Sequence, residues 1–283
     1  MIVAIVGRKG GIGKTTLAVN LGAALAALGK RVLLVDLDAQ ASASRSLGVA
    51  RADLAPSIAD VLTRNVPTAS ALRHTAVTGL DLMTASTDLA GIDVILAGMG
   101  HKEGRLRALL TPLAASYDLV LLDCPPSQSL LTINALVAAD RIVIPVVPQF
   151  LAVESVHSLL AQVERLRETA DTRVQPLGLV LSLVDYRLKL TRELVDALRR
   201  QYGSLVFGIE VRTNVRLAEA PAYGKTIFEH DPKASGAEIF RLLAEEFLLR
   251  VEHGAAAAQA AAERRAAERP SIVVVPPASG LVH

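Results

Sequence analysis

Tryptophan is absent from this 283-residue chain, and aromatic residues make up only 3% of it. So few rings cannot build a stacking platform for unpaired bases, which argues against single-strand binding. There is one cysteine, Cys124. No disulfide framework can form within the chain, and a cysteine-only metal site lacks ligands. Hydrophobic residues total 51%, yet no apolar run reaches the length that crosses a bilayer, ~18 residues. The opening MIVAIV has no basic n-region and leads straight into a glycine-rich loop; it reads as a first strand, not a signal peptide, and a cytoplasmic address follows. Neither sign of charge dominates: 30 Lys+Arg against 28 Asp+Glu leave a formal +2. That balance neither demands nor excludes nucleic acid, so a DNA surface must come from local clustering.

The length suits one large α/β domain with a sizeable core. Near-continuous apolar runs at 2–6, 31–36, 118–123, 141–146 and 176–184 read as strands buried on both faces. Segments 14–29, 127–139, 153–169 and 189–202 have helical length and periodicity. The β-α-β alternation predicts a doubly wound, mostly parallel sheet with helices on both faces. Composition changes after Gly254, to an Ala/Arg/Glu segment and then a proline-interrupted end. The expected organisation is a core of 1–253 and an appendage of 254–283, a frayed helix with a mobile end. A partner-binding tail is the alternative, since SIVVV is apolar enough to seek an edge strand.

The stretch RKGGIGKTTL, residues 8–17, carries the chemistry. The general phosphate-loop pattern wants glycine at position 8, where this chain has Arg8, but Gly10, Gly11 and Gly13 fall between a predicted strand and a predicted helix. Glycines let backbone N–H groups approach phosphate oxygens, and the helix start adds its positive dipole end. Lys14 then contacts β- and γ-phosphates, the Thr15 hydroxyl ligates Mg²⁺, and Thr16 is placed for the α-phosphate. DLVLLDCPP supplies Asp123 at a strand's C-terminal end, where open α/β sheets place ligands. Its carboxylate would hold Mg²⁺ through water. VDLDAQ supplies Asp36 and Asp38 in a similar position; one can orient an attacking water while the other supports the Mg²⁺ shell.

KGGIGKTT, VLLVDLDAQ, LVLLDCPPS and VRLAEAPAYGKTIFEHDPKASGAEIF, in this order, resemble the ParA/Soj family of partition ATPases, within the wider group that carries the deviant Walker A motif. The resemblance covers about residues 1–250. It implies a P-loop NTPase fold, ATP and Mg²⁺ as ligands, and an ATP-sandwiched homodimer. Lys9 matches the family's signature lysine, which crosses the dimer interface to phosphate oxygens of the partner subunit. Asp38 matches the acid that positions the hydrolytic water, and Asp123 the Walker B carboxylate. Asp185 and Arg187 lie in a segment that resembles one near the base or the dimer interface. The chain departs from the family pattern at Gly7 and Arg8, at Ala39, Ala41 and Ser42, and at Gln149. Cys124 reads as a small buried residue, not a nucleophile.

Soj-like relatives bind double-stranded DNA without sequence preference as ATP dimers and act with a ParB-like partner on the nucleoid. Arg216 matches a family basic position, and Arg192, Arg199 and Arg200 are candidates by location. A solvated helix face is the plainer reading of each arginine taken singly. The expected function is DNA segregation. The alternatives are an ATPase that positions a protein cargo, or a MinD-like division regulator. The alanines of 255–269 offer too little apolar area for firm membrane insertion.

Overall fold

The structure is a computed structural model and describes residues 1–170, 172–256 and 258. In chain order the elements are β1 (Ile2–Ile5), α1 (Lys14–Ala27), β2 (Val32–Asp36), α2 (Ser42–Ser46), α3 (Ile58–Arg64), β3 (Leu72–His74), β4 (Leu80–Met83), α4 (Ile92–Ala97) and α5 (Arg105–Ala114). They continue as β5 (Leu119–Asp123), α6 (Leu130–Ala138), β6 (Arg141–Val146), α7 (Ala152–Thr169), β7 (Gln175–Val184), α8 (Lys189–Tyr202), β8 (Val211–Arg212), α9 (Val215–Glu219), α10 (Ile227–His230) and α11 (Ser235–His253). The five apolar runs are all strands of one sheet, and the four helical segments are α1, α6, α7 and α8.

The strand order is β3-β4-β2-β5-β1-β6-β7-β8. Every named pair is parallel except β3 with β4 at the edge. The expected doubly wound sheet is therefore present. Strand alternation sends alternate side chains to opposite faces. On β1, Ile2 and Ala4 join a core with α3 through α8, while Val3 and Ile5 join one with α1, α10 and α11. Burial on both faces is why these strands read as unbroken apolar runs. Strand β1 lies between β5 and β6; the chain runs on from β1 to β2 on one side and from β6 to β7 on the other, so the connections of these two neighbours diverge. The loop after β1 thus sits at the switch point, where a crevice opens at the strands' C-terminal ends.

Helix α11 is held by charge as well as by apolar packing. Glu246 is buried and accepts backbone N–H bonds from Gly208 and Ile209, both 2.9 Å. Arg250 pairs with Glu246 at 2.8 Å, donates to the carbonyl of Val206 at 2.9 Å, and lies over the Phe207 ring, 3.9 Å from its centroid. Of the 254–283 appendage, most falls outside the described residues.

Candidate nucleotide site

The 7–13 loop ends at Gly13, whose φ of 85° is open to glycine and costly for other residues. Gly11 is also left-handed, at 71°. Ser182 on β7 pins the loop by donating to the carbonyl of Ile12 at 2.8 Å. Helix α1 begins at Lys14, so the first-turn N–H groups that lack helical partners face the crevice. Gly10, Gly13, Lys14, Thr15, Thr16 and Asp38 all line it.

The two lysines of the loop are in opposite settings. Lys14 is buried, and its Nζ turns back to the carbonyl of Lys9 at 3.0 Å. Burial lowers its pKa, opposed by the nearby acidic groups of Asp123 and Asp38. Lys9 is exposed, and its ammonium has no hydrogen bond or ion pair among the described residues.

Asp123 is fully buried at the end of β5. Its Oδ2 accepts from the Thr15 hydroxyl at 2.8 Å, while its Oδ1 has no hydrogen-bond partner among the described residues. Burial, reinforced by the Asp36 charge, pushes its carboxyl well above the usual range. A buried oxygen with no donor, beside a hydroxyl that can also ligate, suits a hard cation that brings its own waters. Among the described residues no group of three or more His, Cys, Asp or Glu is built to hold a metal. A magnesium ion here would therefore draw on Thr15, Asp123, water and a ligand's oxygens.

Asp36 and Asp38 have separate jobs. Asp36 is fully buried, and its Oδ2 accepts from both the backbone N–H and the hydroxyl of Ser44 at 2.8 Å. Its Oδ1 accepts from the Asp38 N–H at 3.2 Å. The Ser44 hydroxyl in turn accepts from the Ala85 N–H at 3.2 Å. Asp36 is thus the anchor of α2, leaving Asp38 as the carboxylate in the crevice. Asp38 accepts the Gln40 N–H at 3.0 Å, which orients it. Cys124 is buried with its thiol pKa raised by burial and by Asp123, which keeps the nucleophilic thiolate unavailable.

Comparison with known proteins agrees with this geometry. Residues 1–175 match a family described as an AAA domain. The chain is 45% identical to the chromosome-partitioning ATPase Soj of Thermus thermophilus over 250 residues, 88% of this chain and 96% of that relative. It is 38% identical to the chromosome partitioning protein ParA of Caulobacter vibrioides over 259 residues, 91% of this chain and 97% of the relative. The chain belongs to the ParA/Soj family. Among solved structures, the cobyrinic acid a,c-diamide synthase of Mycobacterium smegmatis with bound ADP and magnesium is similar in fold, with a TM-score of 0.77 and 30% identity over 89% of this chain and 96% of that one.

One expected residue in this ParA/Soj chain needs correction. Arg199 was expected on a DNA-facing surface, but it is buried, paired to the buried Glu210 at 2.7 Å. It lies on the stripe of α8 that also buries Thr191, Val195 and Leu198. Arg192 and Arg200 remain exposed on the same helix. Arg216 is exposed too, though it pairs with Glu219 at 2.9 Å and sits 3.7 Å from Asp231. Asp185 and Arg187, expected near the base or the dimer interface, pair with each other at 2.6 Å and are not among the residues lining the crevice, which leaves the interface as their expected place. The Arg187 guanidinium pulls the exposed Asp185 carboxyl down to about 2. A neighbouring, more apolar hollow continues from Gly13 and Thr16 to Val180, Leu183, Asn214 and Phe240.

Three site residues escaped the sequence reading. Ser44 gives no signal beyond its place after the aspartates. Asn20 does: it is the one strongly polar side chain in the buried run LAVNLGAAL of α1. Lys225 also lines the crevice, from a segment whose sequence shows nothing of its fold-back onto α1.

Proposed function

We propose that this ParA/Soj protein is an ATPase that dimerises around ATP, holds double-stranded DNA without sequence preference, and segregates a chromosome or plasmid with a ParB-like partner. The opposed settings of Lys14 and Lys9 carry the reading. Lys14, desolvated within its own subunit, meets β- and γ-phosphate oxygens. Lys9, exposed and without a partner among the described residues, is free to reach phosphate oxygens of a second copy. The base occupies the apolar hollow beside Leu183 and Asn214. Asp38, oriented by Gln40, positions the attacking water. Thr15 and Asp123 would hold magnesium, which would supply positive charge beside the phosphate oxygens. Lys9 adds positive charge where negative charge builds up in phosphoryl transfer, which makes hydrolysis depend on the dimer.

No helix among the described residues is long and apolar enough to cross a membrane. The proposed site of action is the nucleoid, with Arg192, Arg200 and Arg216 as the DNA-facing cations. Pairing two subunits doubles the cations offered to one duplex, so ATP switches DNA binding on through avidity.

The test separates the two lysines. Lys14→Ala should abolish nucleotide binding by calorimetry. Lys9→Ala should keep it but lose both the dimer on ATP-loaded size exclusion and ATP hydrolysis. A dimer of undiminished strength in Lys9→Ala would refute the cross-subunit role.

A further inference from the structure

One wall of the crevice comes from far along the chain; two long-range contacts fix it there and a local cap stiffens it. The Asn20 side chain donates to the Thr16 carbonyl at 2.9 Å and accepts the N–H of Ile227, 207 positions later, at 2.8 Å. One amide thus ties the start of α10 to the first turns of α1. Next, Gly48 and Gly224 meet backbone to backbone, both at positive φ (84° and 64°). A Cβ on Gly224 would stand 2.8 Å from Gly48 Cα, so no side chain fits between the turn after α2 and the turn before α10. Finally, buried Thr226 caps α10 reciprocally with Glu229, at 3.0 Å.

Lys225 lies between Gly224 and Thr226, with its N–H bonded to the Ala220 carbonyl at 3.2 Å. Its backbone is therefore held, and its side chain lines the crevice with Asp38, Ser42, Ser46 and Pro221. Its ammonium has no hydrogen bond or ion pair among the described residues. Lys225 is exposed to the crevice, and a partnerless cation on a held backbone in the same lining as a phosphate loop is matched by an anion bound there.

We propose that Lys225 is a further nucleotide-binding residue, its ammonium engaging the phosphate–ribose part of the nucleotide from within the crevice it shares with the phosphate loop. The proposal rests on the crevice being the ATP site. It gives the nucleotide a direct hold on the segment that follows α9, the short helix bearing Arg216.

The test is calorimetry with Mg²⁺ and either ADP or a non-hydrolysable ATP analogue, on the parent, Lys225→Gln and Lys225→Arg, with melting of the nucleotide-free proteins as a control for folding. Lys225→Gln should lose roughly ten-fold or more in affinity for both nucleotides, the scale of a charge-assisted hydrogen bond. Lys225→Arg should restore most of that affinity. All three should melt alike without nucleotide. Equal affinities in the parent and Lys225→Gln would overturn the proposal. Equal nucleotide affinities with weakened DNA binding would also overturn it and assign Lys225 to the DNA surface. A parent that binds neither nucleotide would refute the ATP site itself, a result distinct from either.

Discussion

Asp36 and Asp123 stand side by side at the ends of β2 and β5, register partners whose side chains are both fully buried. Two carboxyls so close and so dry resist ionising together. Burial pushes Asp36 up to about 6, against the hydrogen bonds from Ser44 and the Asp38 backbone that pull it down. An acid raised on folding stabilises the fold below its unfolded pKa, and that contribution is lost as pH rises to its folded pKa. For Asp36 the window runs from 3.8 to about 6. Asp36→Asn should remove this slope. Without nucleotide, the stability of Asp36→Asn relative to the parent should rise across the window by up to roughly 3 kcal/mol, the equivalent of a two-unit shift. Denaturant melts at several pH values check it; a constant difference between the two proteins would show that Asp36 does not titrate there.

The unpartnered Oδ1 of Asp123 predicts a metal dependence. Asp123→Ala should weaken Mg²⁺ affinity of the nucleotide complex by at least roughly ten-fold. Titrating Mg²⁺ into parent and variant at fixed ADP, with chelator as the zero point, measures it. Overlapping titrations would remove Asp123 from the metal site.

Arg199 and Glu210 form a buried pair, so removing one partner strands the other. Arg199→Ala should destabilise by about 3–5 kcal/mol. The Arg199→Met, Glu210→Gln double variant should recover much of that loss, because the Tyr186 hydroxyl, 2.7 Å from Glu210, keeps an acceptor there. Urea unfolding of the single and double variants decides the matter. A loss under about 1 kcal/mol in the single variant would mean that solvent reaches the pair.

Arg200 is the contrasting neighbour, exposed at the end of α8. If α8 and α9 form the DNA surface, Arg200→Ala and Arg216→Ala should each weaken binding to all sequences alike. Each should also make the salt dependence shallower, by about one log–log unit for every phosphate no longer neutralised. Both variants should keep ATP-dependent dimerisation. DNA affinity measured against salt, with dimerisation in parallel, tests this, and unchanged slopes would place the surface elsewhere.

These residues also mark what the sequence could and could not reveal. The sheet was legible because strands covered on both faces cannot afford a polar residue, which leaves runs such as VLLVD and LVLLD unbroken. Strands β3 and β4 were not: both are short, Asp81 interrupts the apolar residues of β4, and the edge strand β3, LRH, has no fully buried residue. The phosphate loop was legible because its glycines and lysines answer to local backbone chemistry. Arg199 was misassigned although its spacing from Thr191 and Val195 placed it on the buried stripe of α8. Residue type had outweighed helical phase. Lys225 and Asn20 stayed hidden for a different reason: their roles arise from a contact across 207 positions, on which local pattern has no bearing.

The charge lock of Arg250 on Glu246 sets how short this protein can be made. Arg250 comes three residues before the end of α11, yet its guanidinium meets the carboxylate deepest in that helix and the carbonyls before β8. Cutting the chain ahead of Arg250 would leave the Glu246 carboxylate inside the fold with two backbone N–H bonds but no cation. A cut or a fused partner belongs after His253 instead, where Gly254, at a φ of 82°, closes the helix. The boundary between what can be trimmed and what must be kept is thus drawn by one buried ion pair.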